Sequence, residues 1–214
     1  MNELFEYEIV DVQAIIKKYL GGDSLTEVVI PDEFENFPVT EIGCEAFADY
    51  RYDLYCFDLE AAFNCNEKPP KEVYSVIAHI TIPKTVRVIG EGAFLGLANL
   101  YDIKLPDSLE VISDFAFAYC RNFHKVYIPD KVRKIGDNAF RSPNFRHIYI
   151  PPSAVEISKD AFEYSCSDYT ELSTKIILHI SSNAPLNQTK ELRWGWDNRE
   201  LFEILYDYDE YNGR

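Results

Sequence analysis

The chain has 214 residues, 47% hydrophobic, 14% aromatic and 27% charged, an ordinary globular composition large enough for one core or a short repeat array. It carries 36 acidic against 21 basic residues, a net charge of −15. A surface this acidic repels phosphate backbones and anionic headgroups, which argues against nucleic acid and membranes as partners and favours solubility.

Residues 1–22 open the chain. The N-terminus, MNELFEYEIVD, carries four acidic residues and has neither the positive n-region nor the apolar h-region of a signal peptide. The expected location is the cytoplasm if Met1 is the native start, and secreted or cell-surface if a leader was trimmed. Ala14 to Leu20, followed by Gly21-Gly22, reads as a strand ended by a turn. This segment is the expected N-terminal cap, covering apolar surface and an open strand edge.

Residues 23–50 read as a degenerate first repeat. Val28-Val29-Ile30-Pro31 opens it, and Val39, Ile42 and Ala46-Phe47 follow. Extra residues including Asn36-Phe37-Pro38 make a turn bulging from it. Residues 51–76 interrupt the pattern with aromatics, two cysteines and a Pro69-Pro70 breaker. The length fits a decayed coil, echoed by Ala62-Phe63; a functional insertion is the other reading.

Residues 77–165 hold four regular copies of one unit. Ile80-Thr81-Ile82-Pro83, Ile103-Lys104-Leu105-Pro106, Val126-Tyr127-Ile128-Pro129 and Ile148-Tyr149-Ile150-Pro151 begin them, with prolines spaced 23, 23 and 22 residues apart. A second column holds Ile89, Ile112, Ile135 and Ile157. A third holds Phe94, Phe117, Phe140 and Phe162, each preceded by alanine. A fixed period in the twenties is the signature of stacked coils, each too small to bury its apolar face alone. Apolar residues alternate with polar ones in the opening strand, so two side chains face inward and the others outward. Val86, Leu109, Val132 and Ala154 start a second extended segment. The Ala-Phe pairs are expected on short helical or 3-10 turns.

Residues 166–214 form the last coil and C-terminal cap. Leu178-His179-Ile180 is one more strand, arriving 30 residues after Ile150. Trp194, Trp196, Leu201, Phe202, Ile204 and Leu205 are expected to cover the end of the array.

Chemical motifs are sparse. The five cysteines show no CxxC or Cys/His zinc spacing, and free thiols are expected, with Cys120 as a buried apolar residue. There is no GxSxG elbow, phosphate-binding glycine loop or HExxH, so no catalytic, cofactor-binding or metal residue is assigned. The outward strand positions are more informative: Glu27/Val29, His79/Thr81, Asp102/Lys104, Lys125/Tyr127, His147/Tyr149 and Ile177/His179. Tyr127 and Tyr149 should form a ladder, with His147 and His179 close by. Such a face is either solvated sheet rich in β-prone tyrosine or an aromatic and imidazole contact patch. The expected partner-binding set is Lys104, Lys125, Tyr127, His147 and Tyr149.

The pattern IxIPxxVxxIGxxAFxxC stands here as ITIPKTVRVIGEGAFLGL, IKLPDSLEVISDFAFAYC, VYIPDKVRKIGDNAFRSP and IYIPPSAVEISKDAFEYS. It resembles the BspA-type leucine-rich repeat family, known from bacterial, often host-associated proteins and from surface proteins of a parasitic protozoan. The resemblance implies an α/β leucine-rich-repeat solenoid with short parallel strands on its concave face. It also implies a protein- or peptide-binding role and no catalytic residues. Some members are adhesins that bind host matrix proteins, which gives the second functional reading. An enzyme site between the 51–76 insertion and the strand face is the third. The ligand and the oligomeric state are not written in the sequence.

Overall fold

The structure, a computed structural model, describes residues 2–22, 24–49, 75–141, 146–154, 156–158, 160–162, 176–180 and 202–205. The 51–74 part of the irregular segment, Trp194 and Trp196 lie outside them.

Each regular repeat contributes one strand to each of two surfaces. The opening strands are β3 (Glu27–Val29), β6 (His79–Thr81), β8 (Asp102–Lys104), β10 (Lys125–Tyr127), β12 (His147–Ile150) and β14 (Ile176–Ile180). The second strands are β5 (Phe37–Ile42), β7 (Val88–Ile89), β9 (Val111–Ile112), β11 (Lys134–Ile135) and β13 (Glu156–Ile157). Pairing from β5 through β13 is parallel and in register: Ile42, Ile89, Ile112, Ile135 and Ile157 are successive cross-strand neighbours. The parallel arrangement follows from the repeat itself, because coils wound in one direction bring the same segment back with the same polarity.

The opening strands, expected to lie parallel on one face, do not make one continuous sheet. They form two parallel sheets, β3-β6-β8 and β10-β12-β14-β15, with no pairing between β8 and β10. The fourth strand of the second, β15 (Phe202–Leu205), runs parallel to β14. Part of the expected tail cover is therefore another strand of the array.

The core lies between these surfaces. Val86, Leu109, Val132 and Ala154 are fully buried, as are Ile89, Ile112 and Ile135. The phenylalanine column runs through it: Phe94 and Phe117 stack at 5.2 Å, Phe117 and Phe140 at 5.4 Å, Phe140 and Phe162 at 5.6 Å. Those ring spacings track the distance between paired strands, so one aromatic per coil fills the interior without a gap.

The Ala-Phe pairs are not on helical or 3-10 turns. Among the described residues the one helical segment is a 3-10 turn at Asn2–Leu4. Instead, the residue before the alanine is left-handed in four coils: Glu45 (φ 55°), Gly92 (φ 58°), Phe115 (φ 56°) and Asn138 (φ 54°). In this conformation every second amide points toward the next coil. Phe94 N donates to Ala116 O at 2.9 Å, Phe117 N to Ala139 O and Phe140 N to Ala161 O, both at 2.8 Å. A helix would have spent those amides within its own coil. The left-handed cost, about 1–2 kcal/mol for a residue with a Cβ, is offset by backbone pairing along the whole stack.

Hydroxyls tie the coils at a second place. Thr85 donates to Val39 O (2.7 Å), Ser108 to Val86 O (2.5 Å) and Ser153 to Val132 O (3.1 Å). On the exposed edge Glu110 bridges Arg87 and Arg133 of the flanking coils at 2.9 and 2.8 Å. The hydrogen bond from Arg87, with a smaller contribution from Arg133, holds its carboxyl below the usual carboxylate range.

At the N-terminus the expected strand is β2 (Gln13–Tyr19), and a further strand, β1 (Phe5–Val10), precedes it and pairs with it antiparallel as a hairpin. Its turn residues, Asp11 (φ 46°) and Val12 (φ 62°), are both left-handed. That is the conformation of a tight hairpin turn, but without the Asn-Gly or Asp-Gly pair that announces one. β2 then pairs parallel with β5. The bulge expected near Asn36 is a second hairpin, β4 (Glu33–Phe34) against β5, again with left-handed turn residues Glu35 and Asn36. It folds Phe34 into the core beneath Tyr7, rings 4.1 Å apart.

Gly90 shows how closely the coils approach. A Cβ there would lie 2.8 Å from Cys44 N and 2.8 Å from the Gly43 carbonyl carbon, both backbone atoms that cannot give way. Gly90→Val should therefore cost about 1–3 kcal/mol, the range for overpacking. Urea denaturation checks this; an unchanged midpoint would mean the coils can separate here.

Candidate functional site

The arrangement with the most side-chain chemistry stands on β10, β12 and β14. Parallel register sets Lys125, His147 and Ile177 in one row and Tyr127, Tyr149 and His179 in the next. Alternation along each strand sends the intervening Val126, Ile148 and Leu178 into the core, so the two rows share the opposite face.

Strand spacing then makes the aromatic rings stack. Tyr127 and Tyr149 lie 4.3 Å apart with planes inclined by 22°, and Tyr149 and His179 lie 4.0 Å apart at 7°. The Lys125 ammonium sits 4.6 Å from the Tyr127 ring centroid and 5.4 Å from that of Tyr149. Contacts of this kind contribute about 0.5–1 kcal/mol where water reaches them, so they orient the lysine more than they stabilise the fold. His147 Nδ1 and His179 Nε2 approach to 3.1 Å. At that distance both rings cannot be protonated without repulsion. Burial, then the charges of His179 and Lys125, pull the His147 imidazole below the usual histidine range. It is the neutral form that the site favours.

The structure thus brings together Lys125, Tyr127, His147 and Tyr149 of the expected contact set, and it adds His179. It does not bring Lys104 there. Lys104 is on β8, beside Thr81, in the other sheet. Nor is the row evenly exposed: Tyr127 is 41% exposed, whereas Tyr149 and His179 are each 4% exposed. Tyr149 is sandwiched between the Tyr127 and His179 rings. Alternation predicts which side of a strand a residue takes, but its exposure depends on what stacks over it. The aligned outward positions His147/Tyr149 and Ile177/His179 already set His179 beside Tyr149, and the strand pairing has that register despite the 30-residue offset.

The other opening sheet carries Glu27, His79 and Asp102 in one row, with the His79 ring 6.4 Å from the Tyr101 ring. Among the described residues no group of three or more His, Cys, Asp or Glu side chains converges as metal ligands. Cys44 and Cys120 are free thiols; burial pushes the Cys120 thiol far above its ordinary range, and it donates to Phe94 O. Among the described residues no helix is long and apolar enough to cross a membrane.

Comparison with known proteins gives the family of the repeat. The chain is similar to the leucine-rich repeat protein of T. pallidum, with 26% identity and a TM-score of 0.64 over 84% of this chain and 70% of that one. It is similar to a leucine-rich repeat protein from Bacteroides capillosus, with 27% identity and a TM-score of 0.52 over 74% of this chain and 96% of that one. A leucine-rich repeat protein from Bacteroides ovatus shares the fold, with 24% identity and a TM-score of 0.58 over 76% of this chain; the match spans 38% of that protein. No curated protein matches. The model of the BspA type leucine rich repeat region matches residues 73–189 in six copies. With repeats over more than half its length and the stacked parallel strands they predict, this chain belongs to the BspA-type leucine-rich repeat family.

Proposed function

We propose that the chain is a non-enzymatic recognition module that binds a protein or peptide on its opening-strand face, the concave side of the array, centred on Tyr127 and Lys125. The observation that carries this reading is the ammonium of Lys125 held over the stacked Tyr127–Tyr149 pair. Tyr127 offers a large contact area with little rotamer entropy left to lose, because Tyr149 already fixes its ring. Lys125 makes a local positive point on a chain of net charge −15, so an acidic segment of a partner is steered toward it. The family adds support, since leucine-rich repeats serve as interaction surfaces. His147 borders the contact and Tyr149 supports it from beneath, while Lys104 on the neighbouring sheet extends it toward β8.

The test begins with capture of the partner from native lysate and continues with its measured affinity for variants. Tyr127→Ala should weaken binding by about 2 kcal/mol, a hot-spot value, with the melting curve little changed. Lys125→Ala should slow association and flatten its salt dependence. Wild-type affinity in both variants would remove the face from consideration and turn attention to residues 51–76. Tyr149→Ala is the wrong probe, because emptying a packed position confounds binding with stability.

A further inference from the structure

The two imidazoles at the β12–β14 boundary do more than border a contact surface. We propose that His147 and His179 form a two-imidazole site for a late first-row divalent cation, Zn2+ or Cu2+, bound through His147 Nδ1 and His179 Nε2. The site needs no protein partner and stands or falls apart from the recognition reading.

The first argument is distance. A metal bound at about 2.0–2.1 Å by two imidazole nitrogens holds them about 2.9 Å apart in a square-planar cis arrangement and about 3.3 Å apart in a tetrahedral one. The observed separation of 3.1 Å, spanned by a ring-to-ring hydrogen bond that a metal would replace, lies between these values. The backbone therefore has nowhere to move. The two rings lie 5.4 Å apart with planes inclined by 27°, so the half-buried His147 ring must turn for both lone pairs to meet at one point.

The second argument is preorganisation. His179 is 4% exposed and lies flat on Tyr149 at 4.0 Å and 7°, so its ring orientation is set before any ligand arrives. Both histidines sit on hydrogen-bonded neighbouring strands, an element more exact than a loop. A neutral imidazole is the ligand form. In the bound state each ring keeps one proton on its other nitrogen, Nε2 of His147 and Nδ1 of His179. Neutral rings thus bind with a change of tautomer and no net loss of protons. Lys125 opposes a cation here, and the net charge of the chain favours one.

Two imidazoles with open coordination positions suit copper and zinc, with Cu2+ bound more tightly than Zn2+, whereas Mg2+ and Ca2+ require oxygen. The test uses the metals themselves. Isothermal titration of the purified full chain with Zn2+, and with Cu2+ followed by its visible absorption, should show one site. His147→Ala should lower affinity for both by tenfold or more, while His79→Ala leaves it unchanged. His147 is half-buried and its replacement should leave the fold intact by circular dichroism, so the result does not depend on a folded His179 variant. Unchanged affinity in His147→Ala, or displacement of Zn2+ by millimolar Mg2+, would assign the binding to surface carboxylates and overturn the site.

Discussion

Phe117→Ala should destabilise the protein by about 3–5 kcal/mol, the range for emptying a packed aromatic position. Phe117 is fully buried, with Phe94 stacked on one side, Phe140 on the other and Phe123 at 5.7 Å. The substitution removes one ring from the middle of a continuous stack. Its neighbours cannot close the gap, because their backbones are fixed by amide bonds between coils, including Phe117 N to Ala139 O. The cavity term therefore adds almost fully to the lost transfer energy. Chemical denaturation with a fixed m-value measures it. A loss below about 1 kcal/mol would mean the coils collapse onto one another and that the amide pairing is not a rigid scaffold.

Deleting residues 1–22 should have an effect of similar or greater size. The hairpin buries Phe5, Ala14 and Ile16, and the Phe5 ring meets Phe34 and Phe47 at 6.1 and 6.2 Å. Tyr19 stacks on Phe47 at 5.2 Å. Burial of Phe5 and Ile16 alone accounts for about 3–6 kcal/mol, at 1.5–3 kcal/mol for each large side chain. The deletion also bares the edge of β5, which pairs with β2 in the intact chain. An open parallel edge beside exposed phenylalanines is a template for association. The truncated protein should melt earlier and aggregate, seen by light scattering against the full chain. A monomeric truncation with an unchanged melting temperature would show that the hairpin covers nothing the array requires.

These two results would test different kinds of information. The phenylalanine column could be read directly, because a 23-residue period puts identical residues in phase and stacking is the one way such short units bury their apolar faces. The same period yields the isoleucine column, the inward and outward sides of each opening strand, and the neighbourhood of Tyr127, Tyr149 and His147. What repeats in the sequence repeats in space, so local pattern and tertiary neighbour coincide.

Where the chain departs from repetition, tertiary structure decided. The N-terminal hairpin turns through Asp11 and Val12, a pair with valine where a tight hairpin favours glycine, because packing of Phe5 and Ile16 overrides local preference. The Ala-Phe turns take left-handed residues rather than helix because their amides find partners on the next coil, beyond the reach of any local rule. The opening strands part between β8 and β10 although their sequences continue the pattern, and this removes Lys104 from the cluster. Tyr149 sinks to 4% exposure between Tyr127 and His179, since exposure depends on neighbours in space. The sequence by itself determined the family, the strand polarity and the side of the sheet each residue takes. Only the fold decided which of those residues stay exposed and which are packed under a neighbouring ring, because exposure depends on what stacks over a side chain in space.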